Sequence, residues 1–281
     1  MRRRPELYLA LAVAACNHPE AAPAPADSPC AGEPVPIAPG LVAWRIAIPA
    51  RPALGVAPCI DVVRADPAKL HLRVLTAARD GSSHPAPDWR ETFHLAAVIN
   101  AGMFHDDGTP VGLIVEDGAA VGADNGKLGG VLAFDPRDPH DPAAVMTGRG
   151  CAGFELAALR RRYRSLVQSS RLLGCDGGAL PWADPKQYSA AAIGLDRAGR
   201  VVLLHARAAV TMTELSRALA ASGLELAGAL FLEGGPEASL VAKGEYGELA
   251  RTGSYETGFY ESDGNRAFWW LPNVLALTAA P

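Results

Sequence analysis

The stretch Ala191-Ala192-Ile193-Gly194-Leu195-Asp196-Arg197-Ala198-Gly199-Arg200-Val201-Val202-Leu203-Leu204-His205-Ala206 decides the fold. Two apolar runs too short for helices flank a polar segment that contains glycine. That pattern reads as a β-hairpin. Residues 42–48, 69–77, 95–99, 112–116, 130–134 and 229–232 are rich in β-branched and apolar residues and read as further strands. An Asn125-Gly126 turn signal lies between the fourth and fifth of these. Helical spacing is rarer. Residues 88–94 look helical, and residues 154–164 place Leu156, Leu159 and Tyr163 on one stripe with Arg160, Arg161, Arg162 and Arg164 around it. Thr211-Met212-Thr213-Glu214 reads as a capping box opening a helix with Leu215, Ala218 and Leu219 as its apolar stripe, closed at Gly223. Strands outnumber helices without strict alternation. The expectation is an α+β fold, a mixed, largely antiparallel β-sheet core flanked by helices, in one domain over residues 41–281.

The first forty residues read differently. Arg2, Arg3 and Arg4 precede the apolar run Leu7 to Ala15, which is too short to span a bilayer and fits a secretory signal. The run ends Val13-Ala14-Ala15-Cys16, which resembles a bacterial lipobox; residues 1–16 then form a lipoprotein signal peptide with Cys16 acylated. Ordinary cleavage nearby, leaving a plain thiol, is the alternative. Residues 17–40 hold seven of the 23 prolines and no apolar periodicity, as a tether would. Cell-envelope placement follows, periplasmic or as an outer-membrane lipoprotein, with secretion otherwise. Its membrane contact would run through the lipid at Cys16.

Composition narrows the function. At 49% hydrophobic, the 281 residues can fill a core, which excludes disorder throughout. A net charge of −4 gives no basic face for nucleic acid. Setting Cys16 aside leaves Cys30, Cys59, Cys151 and Cys175. Three pairings are open, of which 30–59 with 151–175 is the most local, and each such loop would restrain the unfolded chain by about 3 kcal/mol. No zinc or Cys-x-x-Cys pattern is present, so no cofactor and no metal are expected.

Two strand-to-loop junctions carry candidate chemistry. In Val98-Ile99-Asn100-Ala101-Gly102-Met103-Phe104-His105, a buried strand delivers Asn100 and His105 to a sheet rim, and Gly102 lets a ligand near the backbone. In Phe231-Leu232-Glu233-Gly234-Gly235-Pro236-Glu237, a carboxylate follows an apolar strand, where partial solvation raises its pKa. Each junction also has a plain reading as a tight turn. A lone buried histidine such as His205 is more often structural than catalytic.

Taken with residues 168–173 and Ala192-Ile193-Gly194-Leu195-Asp196, these segments resemble the phosphodiester glycosidase family over residues 70–277. The chain departs from the animal branch, which has Asp where Glu233 stands and an Arg near Ala190. It is closer to a bacterial branch sharing Glu-Gly-Gly-Pro-Glu-Ala and the stretches Glu256-Thr257-Gly258-Phe259 and Glu261-Ser262-Asp263. The resemblance implies a hydrolase that cleaves a sugar-1-phosphate diester at the anomeric carbon, its partner being a carbohydrate phosphate. A non-catalytic envelope lipoprotein that binds a glycan or glycan phosphate is the alternative. On the first reading Glu233 is the base or nucleophile, with His105 and Asp176 as further catalytic candidates. Arg171 would fork onto the phosphate, with Arg207 as second choice. Asn100, Gly102, Gln168, His205, Gly234, Gly235 and Glu237 complete the expected binding set. Glu233 and Arg171 are expected to face each other across a hollow beside the Asn100 turn.

Overall fold

A computed structural model describes residues 29–280; the signal segment and Cys16 lie outside them. Eleven strands make the larger sheet. They are β1 (Val35–Ala38), β2 (Leu41–Ala47), β3 (Cys59–Ala65), β7 (Ile114–Glu116), β8 (Ala119–Val121), β9 (Gly130–Pro136), β10 (Ala144–Gly148), β11 (Tyr163–Arg171), β12 (Gln187–Asp196), β13 (Val201–Thr211) and β14 (Leu226–Gly234). The second sheet runs β16 (Gly247–Thr252), β15 (Ser239–Gly244), β6 (Ala97–Asn100), β18 (Asn273–Ala279), β4 (Leu70–Thr76). A small pair, β5 (His84–Pro85) with β17 (Trp270–Leu271), closes one end.

Every strand pairing among the described residues is antiparallel, so the expected mixed sheet is corrected to an antiparallel one. Hairpin links of a few residues fix β1–β2, β7–β8, β12–β13 and β15–β16 this way, since parallel neighbours need a crossover of a dozen residues or more. The diagnostic hairpin forms as expected, with Ala191 opposite His205 and Leu195 opposite Val201. The helices are few and short: α1 (Ala77–Asp80), α2 (Ala86–Thr92), α3 (Leu156–Arg162) and α4 (Met212–Ala220). "Flanked by helices" therefore overstates them. The capping box at Thr211 and Glu214 is present in both directions.

The two sheets stack over one apolar layer, with Leu203, Leu230 and Leu232 from the larger sheet against Leu72, Ile99, Leu240 and Leu275 from the smaller. On the outer faces, α4 buries Met212, Leu215 and Leu219 against the larger sheet. Trp89 of α2 is buried against the smaller sheet and donates its indole N–H to the Leu271 carbonyl at 2.9 Å. Two local expectations change. Tyr163 and Arg164, read as the end of a helix, begin β11, because Tyr163 pairs with Pro136. Val35–Ala38, inside the stretch read as tether, pairs with β2 as an edge strand, where Pro36 is tolerated. Disulfides join Cys30 to Cys59 and Cys151 to Cys175.

Candidate active site

β6 ends at Asn100, which is buried. Its amide N–H donates to the Glu237 carbonyl at 3.0 Å, and its oxygen accepts from the Ser239 N–H at 2.8 Å. A buried amide used on both sides holds its partner rigidly. Here the partner is the single helical turn Gly235–Glu237 that follows β14.

On β14, Glu233 lies opposite Ala191 and Phe231 opposite Ala192, so the register slips at Leu232. A bulge of this kind re-aims a side chain at a strand end. Gly234 packs against Tyr188, and Gly235 takes a φ of +66°. A β-carbon at Gly235 would stand 2.6 Å from Glu256 Oε2 and 3.4 Å from Glu237 Oε2. These two oxygens are therefore no more than about 6 Å apart.

Three carboxylates share this corner. Burial pushes Glu233 up to about 8, and the charges of Glu237 and Glu256 add to it against one backbone N–H from Gly234. Burial, then Glu256, pushes Glu237 up to about 7. Glu256 is also raised, by burial first, with Lys186 opposing and Asp184 adding. Such a cluster holds protons at neutral pH that isolated carboxylates would release.

The loop carrying Glu256 is stitched to the larger sheet. Tyr188 forms a bridge with Glu256 and donates its hydroxyl to Asp184 at 2.5 Å. Arg207 donates to the carbonyls of Thr252, Asp263 and Asn265 and pairs with the Asp263 carboxylate at 2.6 Å. Beyond Glu237 opens a cleft of about 300 Å³ walled by Phe104, Phe268, Trp269 and Trp270. A larger cavity, about 760 Å³, lies instead beside β4 and Glu116 and contains none of the expected site residues.

The expected residues thus divide. Asn100, Glu233, Gly234, Gly235 and Glu237 converge. His205 lies across Ala191 from Glu233 and is fully buried, with Nε2 donating to the Ala238 carbonyl at 3.2 Å. Arg207 anchors the Glu256 loop. Gln168 is spent elsewhere: its oxygen accepts from the N–H groups of Leu113 and Asn125, and its amide N–H donates to Asp124, Asn125 and Leu128. Gly102, at φ +134°, lies near the Gln168 backbone. Arg171 pairs with Leu230, three residues before Glu233, and its guanidinium reaches the Arg149 carbonyl and both sulfurs of the Cys151–Cys175 bridge. The charges acting on Glu233 are carboxylates, not Arg171. Asp176 is exposed and accepts from Gly178 in a turn beside that disulfide. His105 is exposed, outside the cleft lining, with its backbone N–H on the Thr109 carbonyl.

Sequence reading did not select Glu256, Tyr188 or the aromatic wall. A signal existed for the wall, since Phe268-Trp269-Trp270 is a run of three aromatics in a chain that is 6% aromatic.

An antiparallel double sheet with an acid corner at one strand end defines a β-sheet protein with carboxylate chemistry available. A family model described as phosphodiester glycosidase matches residues 93–278, and the chain belongs to that family. Among solved structures it is similar to the catalytic domain of zebrafish N-acetylglucosamine-1-phosphodiester alpha-N-acetylglucosaminidase, auto-inhibited by its pro-peptide. That match has a TM-score of 0.58 and 15% identity over 84% of this chain and 81% of that one. A hypothetical protein from Synechocystis gives a TM-score of 0.53 at 15% identity, over 86% of this chain and 62% of that one. No curated protein matches in sequence. At these identities the structural likeness shows the fold.

Proposed function

We propose that this protein is an exported hydrolase that cleaves a glycosyl phosphodiester at the anomeric carbon. The observation that carries the reading is the convergence of Glu233, Glu237 and Glu256 around Gly235 in a member of this family. Phosphate is a good leaving group, so the chemistry needs chiefly a carboxylate for the positive character that develops at the sugar carbon. Glu237 fronts the cleft and takes that role as nucleophile: its oxygen bonds to the anomeric carbon as the C–O bond breaks toward phosphate. Glu256 then takes a proton from the water that releases the sugar. Glu233 keeps a proton near neutrality, which lowers the negative charge that an anionic diester meets.

The bound of about 6 Å on this oxygen pair of Glu237 and Glu256 lies below the ~6.5–9.5 Å of inverting glycosidases. Retention of configuration is the expected outcome. Arg171 is committed to the disulfide and Arg149, so the phosphate arm lies toward Lys186, the cation whose charge acts on Glu256. The two disulfides support an oxidising compartment, and acylation of Cys16 would hold the protein at the envelope.

The test incubates the full chain with the methyl phosphodiester of α-N-acetylglucosamine and follows reducing sugar and its anomer by NMR. Release of the α-anomer first is expected. No release of sugar with binding intact would leave the glycan-binding alternative in its place. Labelling by a fatty-acid probe in cells, lost in Cys16→Ser, tests the anchor.

A further inference from the structure

The wall of the cleft is unusual for this molecule. Large exposed hydrophobic side chains are few among the described residues, and two of them, Trp270 at 64% and Phe259 at 60%, stand at this corner. Exposed aromatic surface grouped this way marks a binding site. Both tryptophans are positioned from behind. Trp270 lies nearly parallel to His84 at 6.3 Å, and His84 is edge-on to the buried Trp89 at 5.0 Å. Trp269 meets Phe259 and Tyr260 edge to face at 6.2 and 6.4 Å. Glu237 shares the cleft with them.

The neighbouring charges decide the occupant. A free anion would meet Glu233, Glu237 and Glu256. A lipid surface with anionic headgroups would meet Glu237 in the cleft and Glu256 and Glu261 on the neighbouring loop. Membrane-inserting aromatics are normally flanked by free cations, whereas Arg266, the cation nearest the aromatic run in sequence, is turned to Asp263 and to the Asp263 and Asn265 carbonyls. A neutral ring with one apolar C–H face and a rim of hydroxyls satisfies both halves of the cleft. Its face stacks on indole and its hydroxyls donate to carboxylate oxygens.

We infer that Trp269 and Trp270, with Phe104 and Phe268, form a stacking subsite for a neutral pyranose ring, beside Glu237. The inference rests on the proposed glycosidase reading and deepens it, assigning the sugar to the aromatic side and the phosphate away from it.

The test is tryptophan emission of the full chain titrated with glucose, galactose, mannose, N-acetylglucosamine, N-acetylgalactosamine and, separately, inorganic phosphate. At least one sugar changes the emission and phosphate does not. Trp269→Ala and Trp270→Ala weaken that sugar at least tenfold, and Trp270→Phe restores most of it. Circular dichroism confirms each variant's fold. The subsite is overturned if no sugar responds, if both alanine variants bind as the parent does, or if only phosphatidylglycerol vesicles shift the emission. Sugar binding without diester cleavage would sink the hydrolase and leave the subsite standing. Cleavage with an unchanged KM in both alanine variants would do the reverse.

Discussion

Two carboxylates sit in one row across the larger sheet and meet opposite fates. Asp61 on β3 pairs with His205 on β13, His205 with Ala191 on β12, and Ala191 with Glu233 on β14. Paired residues share a face, so Asp61, His205 and Ala191 point into the same layer between the sheets, while the bulge at Leu232 re-aims Glu233 at the strand end. Asp61 accepts from the guanidinium groups of Arg45 and Arg251, each at 2.9 Å, and although burial alone would raise it, those partners hold it below the usual carboxylate range. Glu233 has a single backbone N–H and two further carboxylates for company. The first arrangement stabilises charge and joins β2, β3 and β16. The second destabilises it, which is what a reactive corner requires and a structural one avoids. Burial by itself is common to both. The partners decide.

The largest expected effect belongs to the Glu233 end. Glu237→Gln should lower turnover of the diester by about 10²–10⁴ with little change in melting temperature. Equal activity would place the chemistry elsewhere. At the other end, Asp61→Asn should leave two guanidinium groups without their carboxylate and cost on the order of 3 kcal/mol in urea unfolding. A loss under about 0.5 kcal/mol would show the pairing to be only a surface ion pair. Gly235→Ala puts a β-carbon at positive φ and against Glu256 Oε2. It should cost about 1–2 kcal/mol and reduce kcat roughly tenfold, and retained kcat would mean that Glu256 need not stay in place.

The pH dependences of the two ends run in opposite directions. Glu233 binds a proton in the folded state from its ordinary 4.5 up to about 8, so its contribution to stability is complete in acid and is lost as pH rises through that range. Melting temperature should therefore fall between about pH 5 and 8, and Glu233→Gln should flatten the fall. His205 behaves the other way. Burial pushes it down to about 4 from 6.5, and among the described residues its Nδ1 has no hydrogen-bond partner. Its contribution is present at neutral pH and is lost as pH falls from about 6.5 toward 4. His205→Gln should remove that acid-side loss. A melting curve unchanged by either substitution would erase the contrast. The smallest effect is expected at Lys186, where Lys186→Met should raise KM for the diester about two- to fivefold, with salt masking the difference.

Much of this was legible in the sequence because it is local. The hairpin around Arg197–Arg200, the capping box at Thr211, the buried strand ending at Asn100 and the Glu-Gly-Gly-Pro-Glu turn are written in residues a few positions apart. Neighbouring backbone and side-chain preferences suffice to read them. The expectation that Arg171 faces Glu233 concerned residues far apart in sequence, and there the structure differs: the guanidinium turns to Arg149 and a disulfide. Glu256 comes to Gly235 on a loop that Arg207 and Tyr188 tie to the larger sheet, and neither tie has a local signature.

Alternation of apolar residues, turn chemistry and cysteine spacing determined that this chain builds strands, where several of them turn, and that Glu233 ends one of them. Which carboxylates share a corner, which cations are already taken and which aromatic faces stay open were decided by tertiary structure. Periodicity is a property of neighbours along the chain. Desolvation and charge pairing depend on neighbours in space, brought together here by sheet register and a bulge.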